Sequence, residues 1–214
     1  AALFADSRYW VQAEAQLAGT DIELVRIPSA ASPAHLDWLV EQLPRGGVVA
    51  VDGQVLGLAA AQALTARLDA AGIALRTAPD LLDAIWPDRP ALPAQPVVAH
   101  HAPHAPHPRA AKLAQVREAM AKHGATHHFI STVDDIAWLS NLRGSDVDYN
   151  PVFLAHLLLH ATGGTLFVGA GKIDAALRDE LAADGIAVAG YEQAGAALAA
   201  LGSYELVAVT NHLT

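Results

Sequence analysis

The sequence predicts an α/β protein in which mostly short strands alternate with helices. Three observations carry that prediction. Apolar runs of strand length recur between segments whose apolar residues return at helical spacing. Ser, Asp, Thr or Pro stands at the start of many of the helical segments, and Gly closes several of them. Finally, 53% of the 214 residues are hydrophobic and 16% charged, enough apolar material for a sizeable core and too little charge for a disordered chain.

The elements follow in order. Leu3–Ala5 reads as a strand. Arg8–Leu17 places Tyr9, Trp10, Ala13 and Leu17 at helical spacing, with Asp6 or Ser7 as cap. Ile22–Ile27 alternates as a strand does. Pro33–Leu43 is a helix with Ser32 before it and Pro33 at its first position. Gly47–Val51 is a continuous apolar run of the buried parallel kind. Leu56–Ala71 is an Ala/Leu-rich helix stopped by Gly72, Ile73–Arg76 a strand, and Asp80 caps a short helix reaching Trp86. Strands separated by helices of this length imply a mostly parallel sheet with helical cover.

Trp86–Pro108 breaks the pattern. It holds Pro87, Pro90, Pro93, Pro96, Pro103, Pro106 and Pro108 and no period, which suits an extended connector. The expected organisation is a first domain over residues 1–90, a Pro/His-rich linker over 91–108 and a second domain over 109–214.

Beyond the linker the alternation resumes. Arg109–His123 is an amphipathic helix with Leu113, Val116, Ala119 and Met120 on one face, ended by Gly124. Thr126–Ser131 is a strand. Val133–Ser140 is a short helix with Thr132 and Asp135 spaced as a capping box. Pro151–His160 and Gly164–Val168 are strands joined by a tight turn at Gly163-Gly164. Helix Lys172–Ala183, strand Ile186–Ala189, helix Glu192–Leu201 and strand Leu206–Val209 with a turn after it complete the chain.

Composition removes several functions. Thirteen bases against 22 acids give a net charge of −9 with no basic run, so no nucleic-acid partner is expected. Without cysteine, disulfides and thiolate chemistry are absent, which agrees with a reducing, cytoplasmic setting. No apolar run approaches the roughly 20 residues that span a bilayer, so no membrane partner is expected either. The start Ala1-Ala2-Leu3-Phe4-Ala5 reads like the inside of a strand. Both ends look cut, and a truncated first domain is expected to expose a sheet edge that favours self-association.

The densest chemistry lies in Thr132–Pro151. Asp134, Asp135, Asp146 and Asp148 accompany one cation, Arg143, with Trp138 and Tyr149 interleaved. Asp134 and Asp135 fall in a helix's first turn, where acids offset the dipole, and that accounts for them without acid/base chemistry. Arg143 has two readings of equal weight: a loop clamp paired with Asp146 and Asp148, or a side chain in a cleft that grips a carboxylate. His100, His101, His104 and His107 suggest zinc or nickel, but the prolines forbid a preset helical pair, which favours solvated linker histidines. Gly169-Ala170-Gly171-Lys172 resembles a phosphate loop without its spacing. No Gly-x-Ser-x-Gly elbow and no complete catalytic set is present.

Three segments carry a family resemblance. Ile136–Phe153, IAWLSNLRGSDVDYNPVF, resembles the middle-domain signature of Xaa-Pro aminopeptidases of the creatinase/prolidase clan; Leu3–Leu17, LFADSRYWVQAEAQL, is similar to that family's strand-then-helix segment, and Asp80–Pro93 to the end of its first domain. The departures are Asp6-Ser7-Arg8, where Asp-Gly-Arg is usual, and the His/Pro-rich linker. The resemblance implies two tandem creatinase-type, ribonuclease H-like domains with mixed sheets flanked by helices, the first incomplete at its start. It implies a catalytic domain beyond Thr214 with two divalent metal ions, typically manganese, and no metal ligand or catalytic residue in this chain. It further implies peptide substrates with proline second, a homodimer, and an N-terminal region that gates the site. Arg143, Asp146 and Tyr149 are the residues expected to face the catalytic cleft. The competing reading is a creatinase-like peptide- or protein-binding module without catalysis. A metal-binding protein built on the histidine linker is a third.

Overall fold

The computed structural model describes residues 1–78, 80–202 and the strand at 207–209. Packing divides the chain into Ala1–Arg89 and Pro90–Thr214.

In the first unit the strands are β1 (Ala2–Ala5), β2 (Glu23–Arg26), β3 (Val48–Ala50) and β4 (Ala74–Arg76), and the helices α1 (Trp10–Leu17), α2 (Ala34–Gln42) and α3 (Leu58–Ala71). The strands are parallel as expected, but they form two separate pairs, β1–β2 and β3–β4, instead of one sheet. Val48 and Ala50 are exposed, so β3 is not the buried strand its apolar sequence suggested. Leu64, Leu68 and Ile73 form the buried centre around β3 and β4. Gly72 ends α3 in the left-handed region at φ 69, which an L side chain adopts only at a cost. Asp80 does cap a short helix, a 3₁₀ turn at Asp83–Ile85, by accepting from the Leu82 and Asp83 amides. Asp6 caps nothing: its carboxylate accepts from the Arg8 amide and guanidinium instead.

The second unit contains β5 (Val98–Ala99), α4 (Arg109–Lys122), β6 (His127–Ile130), α5 (Val133–Ser140), β7 (Leu142–Arg143), β8 (Ala155–His160), β9 (Gly164–Val168), α6 (Ala175–Ala183), β10 (Ile186–Gly190), α7 (Ala194–Ala199) and β11 (Val207–Val209). The turn expected after β11 lies outside the described residues. A five-stranded mixed sheet runs β10-β9-β8-β6-β11, with β8 antiparallel to both neighbours and the outer pairs parallel.

Alternation along these strands sorts two faces. Ile130, Leu157, Leu159, Leu166, Val168 and Ile186 meet Leu113, Met120, Ile136, Leu177 and Leu181 of α4, α5 and α6 in the main core. Burying each such side chain contributes about 1.5–3 kcal/mol. The opposite face packs Leu158 and Phe167 against Ala194 of α7.

Two segments depart from the sequence reading. Pro151–Leu154 is not strand, because the loop Gly144–Asp146 takes up its backbone: the Gly144 and Asp146 amides donate to the Pro151 and Val152 carbonyls, and the Leu154 amide donates to Asp146. A Cβ on Gly144 would stand 2.6 Å from that of Phe153, so only glycine permits this approach. The proline-rich stretch, in turn, is partly fastened to the second unit. Val97 donates to the Lys172 carbonyl, Val98 and Ala99 pair with Arg143 and Leu142, and His100 donates to the Asn141 carbonyl.

Candidate functional site

Three cations gather at the C-terminal end of α5, where helix carbonyls lack intrahelical partners. Arg109 Nε donates to the Ser140 carbonyl at 2.5 Å, Lys112 Nζ to that of Trp138 at 2.6 Å, and Arg143 Nη1 to that of Ala137 at 2.6 Å. The helix dipole favours positive charge there. Asn141 follows in the left-handed region at φ 53 and is buried; it accepts from Lys112 at 2.6 Å and donates to the His107 carbonyl at 2.9 Å. Thr132, at the other end of α5, makes no side-chain capping bond.

The cations differ in how their charge is met. Arg109 is buried and pairs with Glu180 and Asp184 of the α6 region. The Lys112 ammonium lies 4.3 Å from the Trp138 ring centroid, and burial, then the Arg143 charge, holds its pKa below the ordinary lysine value. Among the described residues Arg143 bonds only to backbone, adding the Leu142 carbonyl at 2.8 Å.

Arg143 therefore does not clamp its loop to Asp146 or Asp148. Lys172 takes Asp146 instead, in an ion pair whose side chains are 1% and 0% exposed. Asp146 also accepts from the Leu154 amide, and Lys172 donates to the Pro93 carbonyl. With both charges desolvated, removing one partner costs about 3–5 kcal/mol. The Gly169–Lys172 run that resembled a phosphate loop thus delivers a structural lysine. The sequence marked Asp146 but not its partner, because 26 residues separate them.

Between Asp146 and Pro151 the loop folds into a turn closed by the Asn150 amide on the Val147 carbonyl at 3.2 Å. Tyr149 occupies the turn position where glycine is usual, at φ 62, and its side chain is fully exposed. Half of Trp138 is exposed as well. The three expected site residues are thus separated by role: Asp146 anchors the loop from inside, Tyr149 stands at its tip, and Arg143 lies at the end of α5.

His100 and His104 stack with centroids 5.8 Å apart, and His101 Nε2 lies 3.5 Å from Glu180. His100 is half-buried near Arg143 and Lys112; burial, and then the Arg143 charge, holds its pKa below the ordinary imidazole value. Among the described residues no three His, Asp or Glu side chains converge as a metal site, so the residues present do not fit a two-metal centre. No helix among them is long and apolar enough to cross a membrane.

The sequence profile of the creatinase/prolidase N-terminal domain matches residues 88–213. A relative described as "Probable Xaa-Pro aminopeptidase P", from Leptosphaeria maculans, is 35% identical over 182 residues, 85% of this chain and 30% of its own length. One of the same description from Metarhizium acridum is 35% identical over 90% of this chain and 31% of its own. Among solved structures, the X-prolyl aminopeptidase of Caenorhabditis elegans, described as a cytosolic enzyme with a di-nuclear active site, superposes with a TM-score of 0.86 at 29% identity. It covers 92% of this chain, which covers 32% of it. The chain spans about a third of the length of the relatives it matches.

Proposed function

Because this chain belongs to the creatinase/prolidase N-terminal domain family, we propose that it is the non-catalytic front part of an Xaa-Pro aminopeptidase. The whole enzyme hydrolyses the bond between an N-terminal residue and a following proline. In this reading the chain comprises a first creatinase-type domain and a second one after the proline-rich stretch. A catalytic domain of the same polypeptide holds two divalent metal ions, manganese by family habit. The present chain restricts entry to that site, supports a homodimer, and works in the cytoplasm.

One observation carries the role of the candidate loop. Tyr149 is displayed in a strained backbone conformation, at φ 62, on a turn whose base is fixed by the buried Asp146–Lys172 pair. Strain of about 1–3 kcal/mol persists where the surroundings over-determine it, and such positions cluster at functional sites. A rigid, exposed aromatic at that tip suits contact with substrate or with the catalytic domain, and Arg143 at the end of α5 supplies a cation beside it in sequence.

The test is Arg143→Ala in the intact enzyme. The expected result is a fall of about tenfold in kcat/KM for an Xaa-Pro peptide, equivalent to about 1.4 kcal/mol of lost transition-state stabilisation. Unchanged kcat/KM together with unchanged dimerisation rejects the assignment of Arg143.

A further inference from the structure

We propose that the unbonded Nε–Nη2 edge of Arg143, on the strand-pair face it shares with His100 and beside the Lys112 that packs on Trp138, is a binding site for a peptide carboxylate. The choice of a peptide as carrier rests on the aminopeptidase reading above; the carboxylate itself is argued from geometry.

Arg143 Nη1 is spent on the Ala137 and Leu142 carbonyls, which fixes the guanidinium plane. Among the described residues Nε and Nη2 of the same group have no hydrogen-bond partner. Those two atoms form the side-on fork that accepts both oxygens of a carboxylate. A guanidinium already oriented by its other nitrogen loses little further freedom on binding.

The surroundings lack the anion that such a fork attracts. Lys112, beside it, bonds among the described residues only to a carbonyl and an amide oxygen. Antiparallel pairing sets Val98 opposite Arg143 and continues to His100 beside Asn141, so these side chains share one face. His104 stacks on His100. Arg143, Lys112 and two imidazoles therefore lie close together, and among the described residues none of the four bonds to a carboxylate; the nearby acid, Glu180, is held by Arg109 and faces His101. Val98 and Trp138, each more than half exposed, offer apolar ground for the residue that carries the carboxylate.

Affinity is expected to depend on pH. The cations around His100 disfavour its protonation, and a bound carboxylate offsets them. His100 then takes up a proton on binding, so binding tightens as pH falls toward the imidazole range.

The experiment titrates the 214-residue protein with three acetylated tetrapeptides: one with a free C-terminal carboxylate, its C-terminal amide, and an amide carrying an internal Asp. Inorganic phosphate is a fourth probe. The readout is the Trp138 indole N–H resonance, assigned by its loss in Trp138→Phe, with the Trp10 indole, bonded to the Ala5 carbonyl, as a control that should not move. Expected is saturable movement of Trp138 with the free acid, the Asp peptide or both, and the stronger of the two identifies the source of the carboxylate. Affinity should be roughly fivefold greater at about pH 6 than at about pH 8. Arg143→Lys, which keeps the charge without the fork, should weaken binding roughly tenfold. His100→Gln should retain binding at about pH 8 and lose the pH dependence. Equal binding of the plain amide, phosphate as tight as either carboxylate peptide, or an unaffected Arg143→Lys each overturns the proposal. Loss of this site while intact-enzyme activity still responds to Arg143→Ala would leave the aminopeptidase reading standing.

Discussion

Asn141 and Tyr149 share a left-handed backbone, at φ 53 and φ 62, and almost nothing else. Asn141 is buried, with its amide divided between Lys112 and the His107 carbonyl. Tyr149 is bare to solvent. The same substitution must therefore act in opposite directions. Tyr149→Gly relieves the Cβ conflict and removes no packing, so a gain of about 0.5–1 kcal/mol is expected after glycine's greater unfolded-state entropy is deducted. Asn141→Gly keeps the turn but removes one of the two oxygen acceptors of the buried Lys112 ammonium and the donor to the His107 carbonyl, at an expected loss of about 2–3 kcal/mol. Urea unfolding of the two variants measures both, and equal shifts of the same sign would refute the division. The sequence already drew notice to both residues through their motif. What separated them was depth, and depth depends on Lys112, a residue 29 positions earlier.

At the scale of elements, legibility followed the range of the interactions. Helix α5 occupies the expected residues, Val133–Ser140, because its apolar face and the left-handed Asn141 after it are local signals, although the expected Thr132 side-chain cap does not form. The collar of cations at its end was hidden, since Arg109 and Lys112 arrive from positions 31 and 26 residues away. The two-residue strand β5 was equally hidden, because a pairing that short leaves no period in a run of prolines. Strand β8 shows another long-range effect. Its His156 ring stacks on Phe129 at 5.3 Å and on Tyr191 at 4.8 Å, with Nδ1 3.1 Å from Ser131 Oγ, and burial holds its pKa below the ordinary imidazole value. The neutral ring is thus the form the fold favours. As pH falls below about 6.5, the unfolded chain takes up a proton that the folded one resists, so this residue subtracts stability on acidification. In His156→Phe, which keeps a ring in the stack, the difference in unfolding free energy between about pH 7.5 and about pH 5.5 should shrink relative to the parent. Denaturant titrations at the two pH values decide it; an unchanged difference would show that His156 does not titrate differently on unfolding.

For the molecule as a whole, alternation of strands and helices was enough to set the α/β class, but not the sheets. Period and length cannot tell whether neighbouring strands join one sheet or two, and the first unit resolves into two parallel pairs where one sheet was expected. The Gly163-Gly164 turn did announce the antiparallel β8–β9 pair, a connection too short for a crossover. The two units also differ in how much apolar surface they bury. Main-core side chains in the second include Leu113, Ile136, Leu157, Leu159, Leu166 and Leu181, all shut off from solvent, whereas the first centres on Leu64, Leu68 and Ile73. Local opening free energy follows buried apolar contact, so backbone amides of β3 and β4 should exchange with solvent through cheaper openings than those of β8 and β9. Native-state hydrogen exchange under rising denaturant reads this strand by strand. Leu68→Ala, which opens a cavity at a fully buried site, should lower the opening free energy of β3 and β4 by about 2–5 kcal/mol and leave β8 and β9 unchanged. Equal slowing of exchange in all four strands, or an equal response to Leu68→Ala, would mean that the chain opens as one cooperative body despite the disparity between its cores.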